Sequence, residues 1–315
     1  MSFFQVILVS IIIPAYNSAH TIVATLASAL KQESSLFTTE IVIINDGSTD
    51  KTATILNSYQ HNCTVITQPN MGASTARQNG FNACKGNYIQ YLDADDLLAE
   101  GKIDLQLKAL LTNNADIAYG DVEKFSEINN QIKTESLIEG TILGDPETTI
   151  FKSFWRPPAA ILYKRSLIEK ITWSKNLPVI QDARYLLDAV FIGGKLVYTP
   201  GIVAKYRINQ SQSLSQRSNL EFVKDCFLNT SEVYKIWQND LEKNPLKKAA
   251  LIESLRYCIT EFSITDRTLF NLAIDLLLKI APNYIPQKSI MVKKLSQIFG
   301  YRNAEKLASL KRKLI

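Results

Sequence analysis

Three carboxylates, Asp93, Asp95 and Asp96, stand within four positions of one another, directly after the apolar run Tyr88 to Leu92. Acids this close repel, and keeping all of them ionised at a strand end is costly unless a cation neutralises them. Hard oxygen ligands select Mg2+ or Mn2+, and so small a protein donor set leaves positions on the ion for a substrate's phosphates. The same residues also read as an acidic helix start, because Asp95 and Asp96 precede an apolar run and favour a helix dipole. Spacing alone leaves both readings open. Other chemistries are disfavoured by count: two histidines, His20 and His61, are too few for a histidine-rich zinc site or leave little room for a serine triad. The four cysteines lie far apart without CxxC spacing, which predicts a reduced, cytoplasmic setting.

Acids delivered at the end of a strand need a sheet to carry that strand. Val6 to Ile13 is a β-branched run closed by Pro14, and Ser18 to Lys31 has helical spacing at Ile22, Leu26, Ala29 and Leu30. Glu40 to Ile44 predicts a second strand ended by Asn45, Asp46, Gly47 and Ser48, with Thr49 or Asp50 capping a helix that reaches Tyr59. A strand at Thr64 to Thr67, a turn at Asn70 and Gly72, a helix from Ala73 to Ala83 and the strand Tyr88 to Leu92 complete the alternation. This pattern predicts an α/β fold with a mainly parallel sheet and helices on both faces, and it puts the acids on the rim where such sheets bind ligands.

Beyond Leu92 the pattern loosens. It predicts a helix from Lys102 to Leu111, a strand near Asp116 to Val122, an irregular stretch through Trp155, Arg156, Pro157 and Pro158, a helix from Ala183 to Phe191, and strand-like runs Lys195 to Tyr198 and Ile202 to Arg207. From about Asn219 only helical periodicity remains, broken at Pro245, Pro282 and Pro286, which predicts a helical appendage over 219–315. The chain has 315 residues, 46% apolar and 21% charged, enough for one large domain with such an appendage. Its formal charge of +5 belongs to the tail, where Ile290 to Ile315 holds seven Lys or Arg against one Glu. No nucleic-acid-binding motif accompanies these charges, so nucleic acid is not an expected partner. The apolar start, Phe3 to Ile13, lacks a basic leader and reads as a buried strand, and Leu269 to Ala281 is too short and too charged to span a bilayer.

Four motifs, in order, carry a resemblance. Val9-Ser10-Ile11-Ile12-Ile13-Pro14-Ala15-Tyr16-Asn17, Ile43-Ile44-Asn45-Asp46-Gly47-Ser48-Thr49-Asp50, Asn70-Met71-Gly72 with Ala76-Arg77-Gln78-Asn79-Gly80, and Tyr91-Leu92-Asp93-Ala94-Asp95-Asp96 resemble the family 2 glycosyltransferases of the GT-A fold. The match runs from about Val6 to Ser215 and leaves out the helical tail. It implies a GT-A, Rossmann-like domain over 1–218, with a nucleotide-binding half (1–100) and an acceptor-side half (101–218). It also implies inverting transfer of a sugar from a nucleoside diphosphate donor, with UDP favoured, to a hydroxyl of a glycan or lipid-linked glycan in bacterial surface polysaccharide or lipopolysaccharide synthesis. Through the resemblance, Pro14, Ala15 and Tyr16 lie on the nucleobase, Asp46 accepts a bond from it, Arg77 approaches the nucleotide and Asp93 faces the ribose. Asp95 binds the Mg2+ or Mn2+ that bridges the phosphates, with Asp96 in support.

An inverting displacement needs a base for the acceptor proton. Relatives place it in a Glu-Asp pair opening a helix; the corresponding residues here are Gln181 and Asp182, which makes Asp182 the candidate base and Gln181 a departure. An ordinary helix N-cap is the other reading of Asp182. Where relatives have Tyr-Arg-x-His this chain has Tyr206-Arg207-Ile208-Asn209, so Arg207 is expected at the diphosphate and Asn209 stands in the histidine's place. Trp155 falls in the region that lines the acceptor side, as a stacking surface for a sugar or as core. In the tail, Met291, Leu295, Ile298, Phe299, Leu307, Leu310 and Leu314 recur at helical intervals among cations. That pattern suits peripheral contact with an anionic inner membrane face, or a terminal helix packed on its domain. The alternatives to transfer are a sugar-phosphate nucleotidyltransferase, disfavoured by the lack of a glycine-rich cradle at Pro14 to Ser18, and a non-catalytic nucleotide-sugar or glycan-binding module.

Overall fold

Nine residues of unbroken strand, Ile7–Ala15 (β1), lie at the centre of the first half, with Val9, Ile11, Ile12 and Ile13 fully buried. An apolar strand of this kind is covered on both faces, as parallel sheets require. In this computed structural model, which describes residues 6–128, 131–208, 219–287 and 289–312, the chain divides into two compact units, Met1–Ser213 and Leu214–Ile315.

In the first unit β1 is followed by α1 (Ile22–Leu30), β2 (Phe37–Asp46), α2 (Thr52–Asn57), β3 (Thr64–Gln68), α3 (Ala73–Ala83), β4 (Tyr88–Tyr91), β5 (Leu97–Leu98) and α4 (Lys102–Asn113). Then come β6 (Ile117–Ile128), β7 (Gln131–Ile138), α5 (Pro146–Lys152), a 3-10 turn (Pro158–Ala160), β8 (Ile161–Lys164), α6 (Arg165–Ile168), α7 (Gln181–Phe191) and β9 (Leu196–Arg207). The strands form one sheet in the order β3-β2-β1-β4-β8-β6-β9-β5, with β7 paired to β6. β3, β2, β1 and β4 are parallel, so their C-terminal ends share one rim; β8 then runs antiparallel to both β4 and β6, and β6 and β9 are parallel again. β4 reaches β1 through a close approach: a Cβ on Gly86 would sit 2.3 Å from Ser10 Oγ and 2.5 Å from Ser10 N.

The first half follows the expected alternation, although α1 begins at Ile22 because Ser18 to Thr21 form a turn. The second half differs more. The apolar run after the acids is the strand β5, paired with β9, and the next helix starts only at Lys102. Asp95 and Asp96 are therefore not a helix start. The two strand-like runs near the end are the single strand β9, whose pairing with β6 shifts register around Asp121. β7, β8 and α5 have no counterpart in the sequence reading: β7 is exposed along most of its length and lacks an apolar face.

The second unit holds α8 (Asn219–Trp237), α9 (Pro245–Thr265), α10 (Arg267–Ile280) and α11 (Ile290–Arg312), the last kinked at Gly300. Pro245 opens α9 rather than interrupting a helix, with Asn244 accepting from Lys247 N, and Asp266 caps α10 by accepting from Leu269 N. α11 packs through Val292, Tyr301, Ala304, Ala308 and the fully buried Glu305, whose carboxylate accepts from Arg256 at 2.7 Å and Arg312 at 2.9 Å. Among the described residues no helix is long and apolar enough to cross a membrane.

Gly86→Ala would drive a methyl into the backbone of β1, and overpacking of this kind costs about 1–3 kcal/mol. Urea unfolding should show that loss; unchanged stability would mean the β1–β4 approach is looser than the structure shows.

Candidate active site

The rim is built from loops that β1, β2 and β4 deliver together. Ala15 ends β1 beside Asn45 of β2, Pro14 precedes it, and Tyr16 stands half exposed past the strand. Asn17 joins the two loops: its backbone N–H donates to Ser48 Oγ at 3.1 Å, and its Oδ1 accepts from Thr49 N at 2.8 Å. Asp46 is buried at the end of β2 and accepts from Gln68 Nε2 (2.7 Å), Met71 N (2.9 Å) and Gly72 N (2.9 Å). Those bonds draw the turn before α3 against β2. Gly47 permits the approach, since it holds φ +72° and a Cβ there would meet Asn70 N at 2.7 Å. A carboxylate offers about four acceptor positions, so roughly one remains for a ligand.

Arg77, on α3, is only 4% exposed. Its Nη2 donates to Asp93 Oδ1 at 2.5 Å and its Nη1 to Gln181 Oε1 at 2.9 Å, while the guanidinium lies 4.6 Å from the centre of the Trp173 ring. Trp173 in turn stacks on Tyr185 of α7 at 4.1 Å. Gln181 fits the place fully: Oε1 also accepts from Ser74 Oγ at 2.5 Å, and Nε2 donates to Pro178 O at 3.0 Å. One cation thus ties the end of β4 to the start of α7.

The three acids have separate fates. Asp93 is paired with Arg77. Asp96 is fully buried; Oδ1 accepts from Arg207 N at 3.0 Å, Oδ2 has no partner, and burial together with the charges of Asp95 and Asp93 pushes its carboxyl well above the usual range. Asp95 is half-buried, accepts no hydrogen bond from a described side chain, and is pushed up to about 6 by burial and then by Asp93. Thr21, just before α1, and Thr25 within it fix this loop by donating to Ala94 O, and Thr25 also to Asp96 O. Among the described residues no group of three or more His, Cys, Asp or Glu side chains is placed to hold a metal by itself. Asp95 is left as a hard oxygen donor without a side-chain hydrogen bond, and the charges of Arg207 and Arg77 offset only part of the effect of burial and Asp93, which fits a divalent ion completed by substrate oxygens.

Arg207, at the end of β9, is buried over the Phe125 ring, pairs with Glu127 and donates from Nε to Asp95 O at 2.9 Å. Asn209 lies outside the described residues. Asp182 occupies the first turn of α7, one residue inside the helix, while the N-cap position is held by Ile180. Its Oδ2 accepts from Trp155 Nε1 at 2.6 Å. Burial raises the Asp182 carboxyl, while the Trp155 N–H and the charge of Arg77 pull it back. Ser74, Trp173, Tyr185 and Glu127 were not singled out from sequence. Ser74 had a usable signal, because it sits one turn before Arg77 on the same helix; Trp173 comes from an irregular segment and had none.

The model of the family described as glycosyl transferase family 2 matches residues 10–172, just over half of the chain. Glycosyltransferase GlyA of Streptococcus pneumoniae is 30% identical over 229 residues, 66% of this chain and 31% of GlyA. The Escherichia coli protein WfgD, a UDP-Glc:alpha-D-GlcNAc-diphosphoundecaprenol beta-1,3-glucosyltransferase, is 35% identical over 127 residues, 40% of this chain and 49% of WfgD. The chain therefore covers less than two thirds of the length of these relatives. Among solved structures, S. aureus TarS 1–349 in complex with UDP-GlcNAc aligns with a TM-score of 0.71 at 18% identity, covering 96% of this chain and 92% of that one, a likeness of fold. With the four rim motifs in place on a GT-A sheet, the chain belongs to glycosyl transferase family 2.

Proposed function

We propose that this protein is an inverting glycosyltransferase that moves a sugar from a UDP-sugar to a hydroxyl of a glycan or lipid-linked glycan in bacterial surface polysaccharide or lipopolysaccharide synthesis. The observation that carries the reading is the link Asp93–Arg77–Gln181, which joins the nucleotide rim to the helix bearing Asp182. UDP-GlcNAc in the TarS complex and the diphosphoundecaprenol acceptor in the name of WfgD support the donor and acceptor classes.

In this reading Pro14, Ala15, Tyr16 and the remaining acceptor position of Asp46 receive the uracil, and Asp93 faces the ribose. Asp95 would hold Mg2+ or Mn2+, which would supply positive charge to neutralise the diphosphate. Asp182 takes the proton of the acceptor hydroxyl as that oxygen bonds to the anomeric carbon, and the bond from that carbon to the diphosphate breaks on the opposite face, releasing UDP. Arg77 and Arg207 supply fixed positive charge beside the developing negative charge. Gln181 in place of a glutamate leaves the base itself intact.

Contact with an anionic inner membrane face belongs to the same proposal. α11 leaves Ile290 (75% exposed), Ile298 (72%), Phe299, Leu307 and Leu310 at the surface beside exposed Lys294, Lys306 and Lys311. Its one acid, Glu305, is buried in ion pairs, so the outward side is apolar and cationic. Each cation near anionic lipid adds about 1 kcal/mol.

Asp182→Asn should lower the transfer rate by about 10²–10⁴-fold while UDP binding persists, measured by UDP release with a nucleotide-sugar panel. Near-normal turnover would remove Asp182 from the chemistry. Asp95→Asn should abolish the Mn2+-dependent part of UDP affinity in calorimetry and leave the metal-free part; an unchanged Mn2+ increment would place the ion elsewhere. Because the base must be ionised and burial raises its carboxyl, activity should fall with acidification at a pH above the ordinary carboxylate range of about 4. Replacing Lys294, Lys306 and Lys311 together by Glu should release the protein from phosphatidylglycerol vesicles in a sedimentation assay; undiminished binding would contradict the α11 contact.

A further inference from the structure

From sequence, Trp155 reads as a stacking surface for a sugar or as core, and the structure commits its one polar atom to protein. An indole carries a single donor and no acceptor, and Nε1–H gives that donor to Asp182 Oδ2 at 2.6 Å. The ring also meets Tyr206 in a T-shaped contact, with centroids 5.2 Å apart and planes at 79°.

The backbone that presents the ring is fixed as well. Arg156 is buried and donates to Trp155 O at 3.0 Å, Gly120 O at 3.0 Å and Gly140 O at 2.9 Å, which locks the segment between α5 and the 3-10 turn to the sheet. Pro157 and Pro158 follow and stiffen it further. Asp182 Oδ1 takes no side-chain hydrogen bond among the described residues. Among the described side chains the carboxylate is thus held by one oxygen, the Ala183 amide being the other donor set against it.

We propose that Trp155 is a positioning residue for the catalytic base, its indole N–H pinning Oδ2 of Asp182 so that Oδ1 is presented to the acceptor hydroxyl. The inference rests on the reading of Asp182 as that base. The groups facing Asp182 are Arg77 from α3, Asp93 from the end of β4, Tyr163 from β8, Trp155, and the Ala183 amide of its own helix. Burial and Asp93 favour the protonated carboxyl; Trp155, Arg77 and the Ala183 amide favour the ionised one. Removing the indole N–H therefore raises the proton affinity of Asp182 and frees its carboxylate to rotate.

The test uses Trp155→Phe and, to keep the full bicyclic shape, replacement of Trp155 by benzothienylalanine, which substitutes sulfur for the N–H. In the full chain, 13C NMR of the Asp182 carboxyl, assigned by its loss in Asp182→Asn, should titrate about one pH unit higher in both variants. The acid limb of the kcat profile should move with it, with kcat at neutral pH down about tenfold and donor KM within about twofold. The benzothienyl variant guards against a packing defect, since it fills the same space. An unmoved Asp182 titration in that variant, or a loss confined to acceptor KM as a stacking surface would give, overturns the proposal. Near-normal turnover by Asp182→Asn alongside a moved titration would instead sink the base assignment and leave the Trp155–Asp182 contact standing.

Discussion

The guanidinium of Arg77 is the piece on which the site depends. It is buried on α3, over the Trp173 ring, and it holds Asp93 with one nitrogen and Gln181 with another. Its bonds join the end of β4 to the start of α7 and are charge-assisted, a class shorter and stronger than neutral hydrogen bonds. A lysine could not do this, because a point charge has no planar fork and no face to lay on an indole.

The residue at 181 decides how that charge is shared. A glutamate there would add a second negative partner for Arg77 and set an oxygen against Pro178 O, where Gln181 Nε2 now donates. With glutamine, Asp93 is the only carboxylate bonded to the guanidinium among the described residues, and the charge of Arg77 also acts on Asp182, where it opposes the effect of burial. The departure from the family pattern thus leaves the Arg77 charge acting on Asp182, the proposed base. On the other side of the rim, Arg207 performs a similar fixing role for the Asp95–Asp96 loop, through its backbone N–H and its Nε.

Much of this was legible in the residues, and the reason is locality. β1 to β4 and their helices are written in contiguous β-branched runs, turn residues and helical spacing, so the rim and its acids could be placed before any coordinates. The second half is not written that way. β8 is four residues long, β7 has no buried face, and β5 is two residues that read as the start of a helix until β9 is seen to pair with them. The same limit applies to side-chain partners. Arg77 with Asp93 is 16 residues apart in the chain, but Arg77 with Gln181 is 104 and Trp155 with Asp182 is 27, and no periodicity encodes a bond between loops. In the tail, helical spacing was legible but not which side packs: α11 packs through Val292, Tyr301, Ala304 and Ala308 and turns Ile298, Phe299 and Leu310 outward.

The account stands or falls on a division of labour between two aspartates across one bound donor. A crystal of the protein with a UDP-sugar analogue and Mn2+, with the metal located by anomalous scattering, examines that division directly. The expected result is Mn2+ about 2 Å from an Asp95 oxygen and bridging the diphosphate, with Asp182 on the face of the anomeric carbon away from the leaving group. Manganese bound elsewhere, or Asp182 on the same side as the diphosphate, would contradict it.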